Sequence, residues 1–185
     1  MTTATFQNGV NLEAILGART ALADAPPAAK FQWKAEAEWV NGTHTRSTVE
    51  KLFGLGEEQR HCEVFVFDTD HPQVFASEDQ GATPAELLLV ALAGCLGAGV
   101  ATVATNRGIE LRSVRATVTG DMDLHGIMGI DTGARPGYSG ITVTYDIDAD
   151  VSHEEKESLV AQSRRRSAVF DVVTNGVPVE VGVNQ

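Results

Sequence analysis

The sequence has little cysteine, few aromatic residues and a shortage of basic side chains. Its 185 residues include two cysteines, and aromatic residues make up only 6%. Because the cysteines form no CxxC motif and residues 1–11 do not resemble a secretory leader, we expect free thiols in a reducing cytoplasm. Lys and Arg total 14 against 25 Asp and Glu, a net charge of -11. This balance argues against binding to nucleic acid or to an anionic membrane surface.

Long apolar runs are also absent, with one exception between Thr83 and Gly108. The run opens with a capping box formed by Thr83 and Glu86, and it closes on Gly108, a residue type typical of helix ends. These signals predict a helix of about 24 residues. Its uncharged part is long enough to raise the question of a membrane span. However, its Ala and Gly content and the lack of flanking Lys/Arg clusters favour a buried core helix, and we expect no membrane association.

Small residues form a strip along this helix, which lets a second helix approach closely. The strip consists of Gly94, Gly97, Ala98, Ala101 and Ala104. Each glycine inside a helix costs about 1 kcal/mol relative to alanine, so close packing is needed to compensate. We therefore predict that the same helix of a second copy packs here, giving a homodimer.

The rest of the chain predicts an α+β fold with element order β-β-β-α-β-β-α-β. A short helix over residues 11–22 and a proline-containing linker form an N-terminal arm, so we divide the chain into 1–29 and 30–185. The predicted strands cover 31–40, 43–53, 59–67, 109–124, 141–147 and 177–183, and a second capping box starts a helix over 152–164. Residues 167–176 are interpreted as a connection.

Alternation and turn signals add detail to the first three strands. Asn41 and Gly42 form a hairpin turn signal, which predicts an antiparallel meander. Period-two alternation places Trp33 and Trp39 on a buried face, and Cys62 is expected in the core.

One residue of the long helix, Cys95, can carry chemistry. On spacing alone, a packed thiol is the more common interpretation of such a cysteine. Because Cys95 lies more than three turns from the helix start, activation of the thiol requires a nearby cation, and Arg46 is a candidate. Glu86 is explained by the capping box. Asp121, Asp123 and His125 occupy alternate positions, so their side chains, which are of types that bind metals, could share one face of a strand. Such a pattern is more often a solvated strand end. We therefore expect no metal or cofactor.

Two segments resemble the OsmC/Ohr family of osmotically inducible and organic-hydroperoxide-resistance proteins. The first, residues 79–95, has a Thr-Pro-x-Glu cap followed by an apolar run to Ala-Gly-Cys. The second is residues 167–180, and the resemblance covers about residues 31–183. It implies an intertwined homodimer in which two long central helices are wrapped by antiparallel sheets built from both chains.

The resemblance also implies a chemistry for Cys95. In catalytic members the cysteine of this helix attacks a peroxide and becomes a sulfenic acid, which a second cysteine resolves as a disulfide. A strand arginine holds the thiolate, and a glutamate directly after the helix-opening proline orients that arginine. Arg46 corresponds to the arginine. The second cysteine is replaced by Ser167, and Ala85 follows the proline, so Glu86 is only the neighbour of the expected glutamate.

Two functions are compatible with these departures. The first is a one-cysteine thiol peroxidase acting on organic hydroperoxides in oxidative-stress defence, with Cys95, Arg46 and Glu86 as site residues and an external thiol or dithiol as reductant. The second is a non-catalytic protein that binds an apolar small molecule at the dimer interface. Cys62 is an alternative resolving thiol. A third class of function, a protein that only binds a partner, is supported by the N-terminal arm alone.

Overall fold

The computed structural model of the chain describes residues 7–184 and contains the expected mixture of helices and antiparallel strands. The helices are α1 (Leu12–Asp24), α2 (Pro84–Asn106), α3 (Leu124–Ile127), α4 (His153–Arg165) and α5 (Ala168–Asn175), and the strands are β1 (Gln32–Trp33), β2 (Glu36–Asn41), β3 (His44–Gly54), β4 (Glu57–Thr69), β5 (Leu111–Met122) and β6 (Tyr138–Ala149). The described residues form two compact units, one of residues 13–88 and one of residues 89–184 together with 7–12.

The unit of residues 13–88 is built on an antiparallel sheet with β3 at its centre. β3 pairs with β1, β2 and β4, which confirms the predicted meander. The hairpin between β2 and β3 turns at Gly42, whose φ of 54° lies in the left-handed region that glycine tolerates. The single strand predicted over residues 31–40 is interrupted, because only its two ends, β1 and β2, pair with β3.

The buried face expected on this sheet is not buried within the chain. Trp33 and Trp39 are 71% and 72% exposed, and Cys62, which we expected in the core, is an exposed free thiol. Period-two alternation groups residues that share a face of a strand. It does not indicate what covers that face, so the predicted burial was wrong.

The loop before α2 is organised by Asp70, whose carboxylate is almost fully buried. Oδ1 accepts hydrogen bonds from the Thr43 and Ser77 hydroxyls, both at 2.6 Å, and from the His71 amide at 2.8 Å. Oδ2 accepts from the Gln80 amide at 3.1 Å. The Ser77, Thr43 and Gln80 hydrogen bonds, reinforced by that of His71, outweigh burial and hold the pKa of Asp70 far below its ordinary range.

This depressed pKa predicts an acid-sensitive loop. A carboxylate with a lowered folded pKa stabilises the fold above its unfolded pKa, about 4, and that stabilisation is lost as the pH falls below it. We expect D70N to lower Tm by several degrees at pH 7 and to flatten the fall in Tm below about pH 4. Thermal unfolding from pH 3 to pH 7 measures both effects. D79N, which removes an exposed charge from the same loop, is the control, and an identical response of the two variants would contradict the assignment.

The long helix α2 begins and ends as predicted. The Glu86 amide donates to Thr83 Oγ1 at 3.1 Å, and Glu86 Oε2 accepts from the Thr83 amide at 2.8 Å, which completes the capping box. At the other end Gly108 has a φ of 68°. Within the described chain α2 is long and apolar enough to cross a membrane, by length and composition. Its buried residues, which include Leu96 and Val100, instead favour a core helix.

Helix α4 packs closely against α2. Ser163 Oγ donates to the Leu96 carbonyl at 2.7 Å, and a Cβ added at Gly99 would lie 3.0 Å from the Ser163 Cβ. Ala104 is fully buried in a cluster with Leu159, so it faces α4 and does not belong to an open strip as we had predicted. The strip is therefore shorter than expected. Gly94 and Ala98 are exposed.

The chain after α4 differs from the sequence prediction in two ways. Residues 168–175, interpreted as a connection, form the helix α5, which is capped by Ser167. Residues 177–183, predicted as the last strand, pair with no strand in the described chain, and Val183 is 97% exposed. Both errors concern short segments, for which local patterns distinguish helix, strand and loop poorly.

Candidate active site

The structure brings Cys95 and Ser167 together across 72 residues of sequence. Cys95 lies in the middle of α2 as a half-buried free thiol. Ser167, which is 5% exposed, donates from its hydroxyl to Cys95 Sγ at an Oγ–Sγ distance of 3.0 Å. The motif of residues 167–180 therefore contacts Cys95, the candidate nucleophile of the motif of residues 79–95.

The first turn of α5 supplies further hydrogen-bond donors to the sulfur. Ser167 is the N-cap of this helix, and its Oγ accepts the Phe170 amide at 3.1 Å. The backbone N–H groups of Ala168 and Val169 also donate toward Cys95 Sγ. These groups are the unsatisfied donors of a helix start, where the helix dipole favours negative charge. The positive end of α5 therefore faces the sulfur, although Cys95 lies far from the N-terminus of its own helix.

Two opposing effects set the pKa of Cys95. Burial is the largest single one, and it raises the pKa of the thiol. The hydrogen bonds from Ser167, Val169 and Ala168 lower it, and together they hold the pKa below its usual value. Because the thiolate is the nucleophilic form of cysteine, this arrangement favours nucleophilic chemistry at Sγ.

Tyr145 on β6 lies within the electrostatic influence of the same sulfur. Burial raises the pKa of the Tyr145 phenol, and the negative charge of Cys95 raises it further. Its Oη is buried and has no hydrogen-bond partner among residues 7–184. Tyr145 also lines a cavity of about 740 Å³ between β6 and α4, whose apolar wall includes Val143, Ile147 and Val160.

The other two predicted site residues have partners of their own. Arg46 Nε donates to Asp68 Oδ1 at 2.9 Å, and His44 Nε2 contacts the same oxygen at 2.7 Å. Glu86 is engaged in the capping box of α2. Arg46 and Glu86 belong to the unit of residues 13–88, whereas Cys95 belongs to the other unit. Their roles toward Cys95 stay predictions.

The alternating Asp121, Asp123 and His125 do not form a metal site. Asp123 is the N-cap of α3, because its Oδ1 accepts a hydrogen bond from the His125 amide at 3.0 Å. The same oxygen contacts His125 Nδ1 at 2.6 Å. Within residues 7–184 no group of three His, Cys, Asp or Glu side chains is placed to hold a metal ion.

Comparison with known families identifies the chain. The sequence model of OsmC-like proteins matches residues 77–182, which include α2, Cys95 and Ser167. The chain belongs to the OsmC-like protein family. A comparison with curated protein sequences finds no match.

Solved structures of OsmC-like proteins share this fold. An OsmC-like protein from Mycoplasma pneumoniae has a TM-score of 0.58 at 17% identity, covering 83% of this chain and 96% of its own. An organic hydroperoxide resistance protein OsmC from Legionella pneumophila has a TM-score of 0.55 at 18% identity, covering 78% and 90%. At these identities the similarity concerns the fold.

The backbone donors of α5 and the Tyr145 hydroxyl were missed by sequence reasoning. A signal for α5 was present, because Ser167 is a favoured N-cap residue and Asp171 is an acidic residue in the first turn. No local signal pointed to Tyr145, which lies within the strand predicted over residues 141–147.

Proposed function

We propose that this OsmC-like protein is a one-cysteine thiol peroxidase that reduces organic hydroperoxides in oxidative-stress defence. The observation that carries the proposal is the donor set around Cys95 Sγ. Ser167 donates at 3.0 Å, the first turn of α5 adds two backbone N–H groups, and the pKa of the thiol is lowered. A thiolate held in this way is the form of cysteine that attacks a peroxide.

In the first half of the reaction, Cys95 is the only protein residue whose covalent bonds change. The thiolate attacks the terminal oxygen of the hydroperoxide, the O–O bond breaks, and the alkoxide leaves and takes a proton from solvent to become the alcohol. Cys95 is left as a sulfenic acid. Sulfur is oxidised by two electrons and the peroxide is reduced by two.

The second half requires two equivalents of an external thiol, or one dithiol. The first thiol attacks the sulfenic sulfur and releases water, which leaves a mixed disulfide on Cys95. The second thiol then attacks this disulfide and regenerates the Cys95 thiol. Because Ser167, which contacts the reacting sulfur, has a hydroxyl and cannot form a disulfide, the external thiol attacks the sulfenic acid directly.

Arg46 and Glu86 complete the proposed site. In this proposal Arg46 is the cation that stabilises the thiolate, which requires it to exchange its ion pair with Asp68. Glu86 is included in the proposed site as the residue that caps the start of α2, through its hydrogen bonds with Thr83. No metal or organic cofactor is involved.

The proposed assembly is a cytoplasmic homodimer with no membrane or nucleic-acid partner. Three observations support a second copy: the exposed Trp33 and Trp39, the exposed small residues of α2, and the unpaired valines after α5. Residues 1–29 are proposed as an arm on the domain of residues 30–185.

Peroxide consumption tests the peroxidase proposal. We expect the reduced wild-type protein and C62A to consume an organic hydroperoxide in the presence of a dithiol, and C95A to fall to the uncatalysed background, because Cys95 is the only nucleophile in the proposed mechanism. Equal rates for wild type and C95A would reject it.

A second candidate function is the binding of an apolar small molecule without turnover. The cavity beside Tyr145 favours it, because about 740 Å³ lies within the range of small-molecule pockets and part of its wall is apolar. In the same assay this function predicts no consumption by wild type and equal ligand affinity for wild type and C95A.

A further inference from the structure

We propose that Ser167 is a catalytic residue of this protein, whose hydroxyl donates to the Cys95 thiolate and activates it for attack. The proposal rests on the peroxidase function and names a group of this chain that acts directly on the reacting sulfur. Ser167 occupies the position where the family resemblance places a resolving cysteine. It cannot resolve the sulfenic acid, and in this proposal it activates the thiolate instead.

The hydrogen bonds of Ser167 leave its hydroxyl proton available to the sulfur. A serine hydroxyl has one proton to donate and two lone pairs to accept with. The Phe170 amide can only donate, so at 3.1 Å it uses a lone pair of Ser167 Oγ. The hydroxyl proton is therefore free to point at Cys95 Sγ, 3.0 Å away. The helix cap thus positions the serine oxygen beside the sulfur, and a Cys95 thiolate, which can only accept, takes the hydroxyl proton as its hydrogen bond.

The neighbouring groups favour the same direction. The Ala168 and Val169 amides aim at the same sulfur and have no capacity to accept a hydrogen bond. Together with the Ser167 hydroxyl at 3.0 Å, these amides stabilise the thiolate form and hold the pKa of Cys95 below its usual value. Because Ser167 is 5% exposed, water competes little for its hydroxyl.

Serine caps elsewhere in the chain show that capping alone does not explain this contact. Ser152 caps α4 with the same geometry, accepting the Glu155 amide at 3.1 Å. Ser163 lies on α4 beside α2, but it donates to the Leu96 carbonyl. These two residues provide controls for the loss of a cap and for the loss of a buried hydroxyl near Cys95.

The pH dependence of thiol alkylation tests the proposal without any peroxide. The rate of reaction with iodoacetamide would be measured from pH 5 to pH 10 in a C62A background, so that Cys95 is the only thiol. We expect S167A and S167G to react about tenfold more slowly at neutral pH, with the midpoint of the profile about one pH unit higher. The reason is that each variant loses a hydrogen bond to the charged thiolate. S167T, which keeps the hydroxyl, should retain the wild-type midpoint.

The variants separate a catalytic role from a structural one. Glycine caps a helix almost as well as serine, so S167G retains α5 while removing the hydroxyl. S152A and S163A should leave the midpoint unchanged. If the S167G profile superimposes on that of wild type, the proposal is overturned. If the midpoint shifts but wild type consumes no hydroperoxide, Ser167 still activates the thiol and the peroxidase function is the part that fails.

Discussion

S167C is expected to convert the oxidised product of Cys95 from a sulfenic acid into an intrachain disulfide. In the wild-type protein the two side-chain atoms are 3.0 Å apart, and a disulfide brings two sulfurs to about 2.0 Å by small side-chain rotations. After one equivalent of organic hydroperoxide, we expect S167C to lose two hydrogen atoms in mass and to retain only the Cys62 thiol. A dithiol should restore all three thiols.

The matched control for this prediction is S163C. Ser163 is also buried beside α2, but its hydroxyl is directed at the Leu96 carbonyl. We expect S163C to gain one oxygen at Cys95 and to form no disulfide. A stable sulfenic acid in S167C, or an equally rapid disulfide in S163C, would show that the contact between α5 and Cys95 is not as described.

Substitutions at two glycines of α2 are expected to have different effects, one on the stability of the fold and the other on assembly. Gly97 and Gly99 are two positions apart, so at 100° per residue they lie on nearly opposite sides of the helix. A Cβ at Gly99 would collide with the Ser163 hydroxyl. Among residues 7–184, a Cβ at Gly97 meets no atom within 4 Å apart from its chain neighbours and the adjoining backbone of α2. We expect G99A to lower the free energy of unfolding by about 1–3 kcal/mol, the usual cost of overpacking.

G97L instead tests the proposed homodimer. If the second copy packs against this side of α2, leucine at position 97 should shift the protein from dimer to monomer in sedimentation experiments, and the folded subunit should retain its helical content. The effect of G99A should not depend on protein concentration, whereas that of G97L should. A G97L protein that sediments like wild type would remove the main support for helix-to-helix packing of two copies.

The parts of the fold that could be predicted from the sequence are those with local signals. The capping box at Thr83 and the N-cap at Ser152 predicted the starts of α2 and α4 to within a residue, because each satisfies a helix donor with a side chain only three residues away. The turn at Gly42 similarly predicted the hairpin of β2 and β3. Such signals act over a few residues and need no knowledge of the tertiary structure.

The features that were missed depend on contacts distant in sequence. The Cys95–Ser167 hydrogen bond joins residues 72 apart, and no spacing rule predicts it. Ala104 was assigned to an open strip because it is small, but it is buried beside Leu159. The exposure of Trp33 depends on what covers the sheet, which a single chain does not specify.

The most direct test of the central claim is to locate the oxidation product. Reduced wild-type protein would be treated with one equivalent of an organic hydroperoxide, trapped with a sulfenic-acid reagent and mapped by mass spectrometry. We expect the addition of one oxygen at Cys95, labelling of that residue, and an unmodified Cys62. An unreacted Cys95 thiol, or oxidation confined to the exposed Cys62, would contradict it.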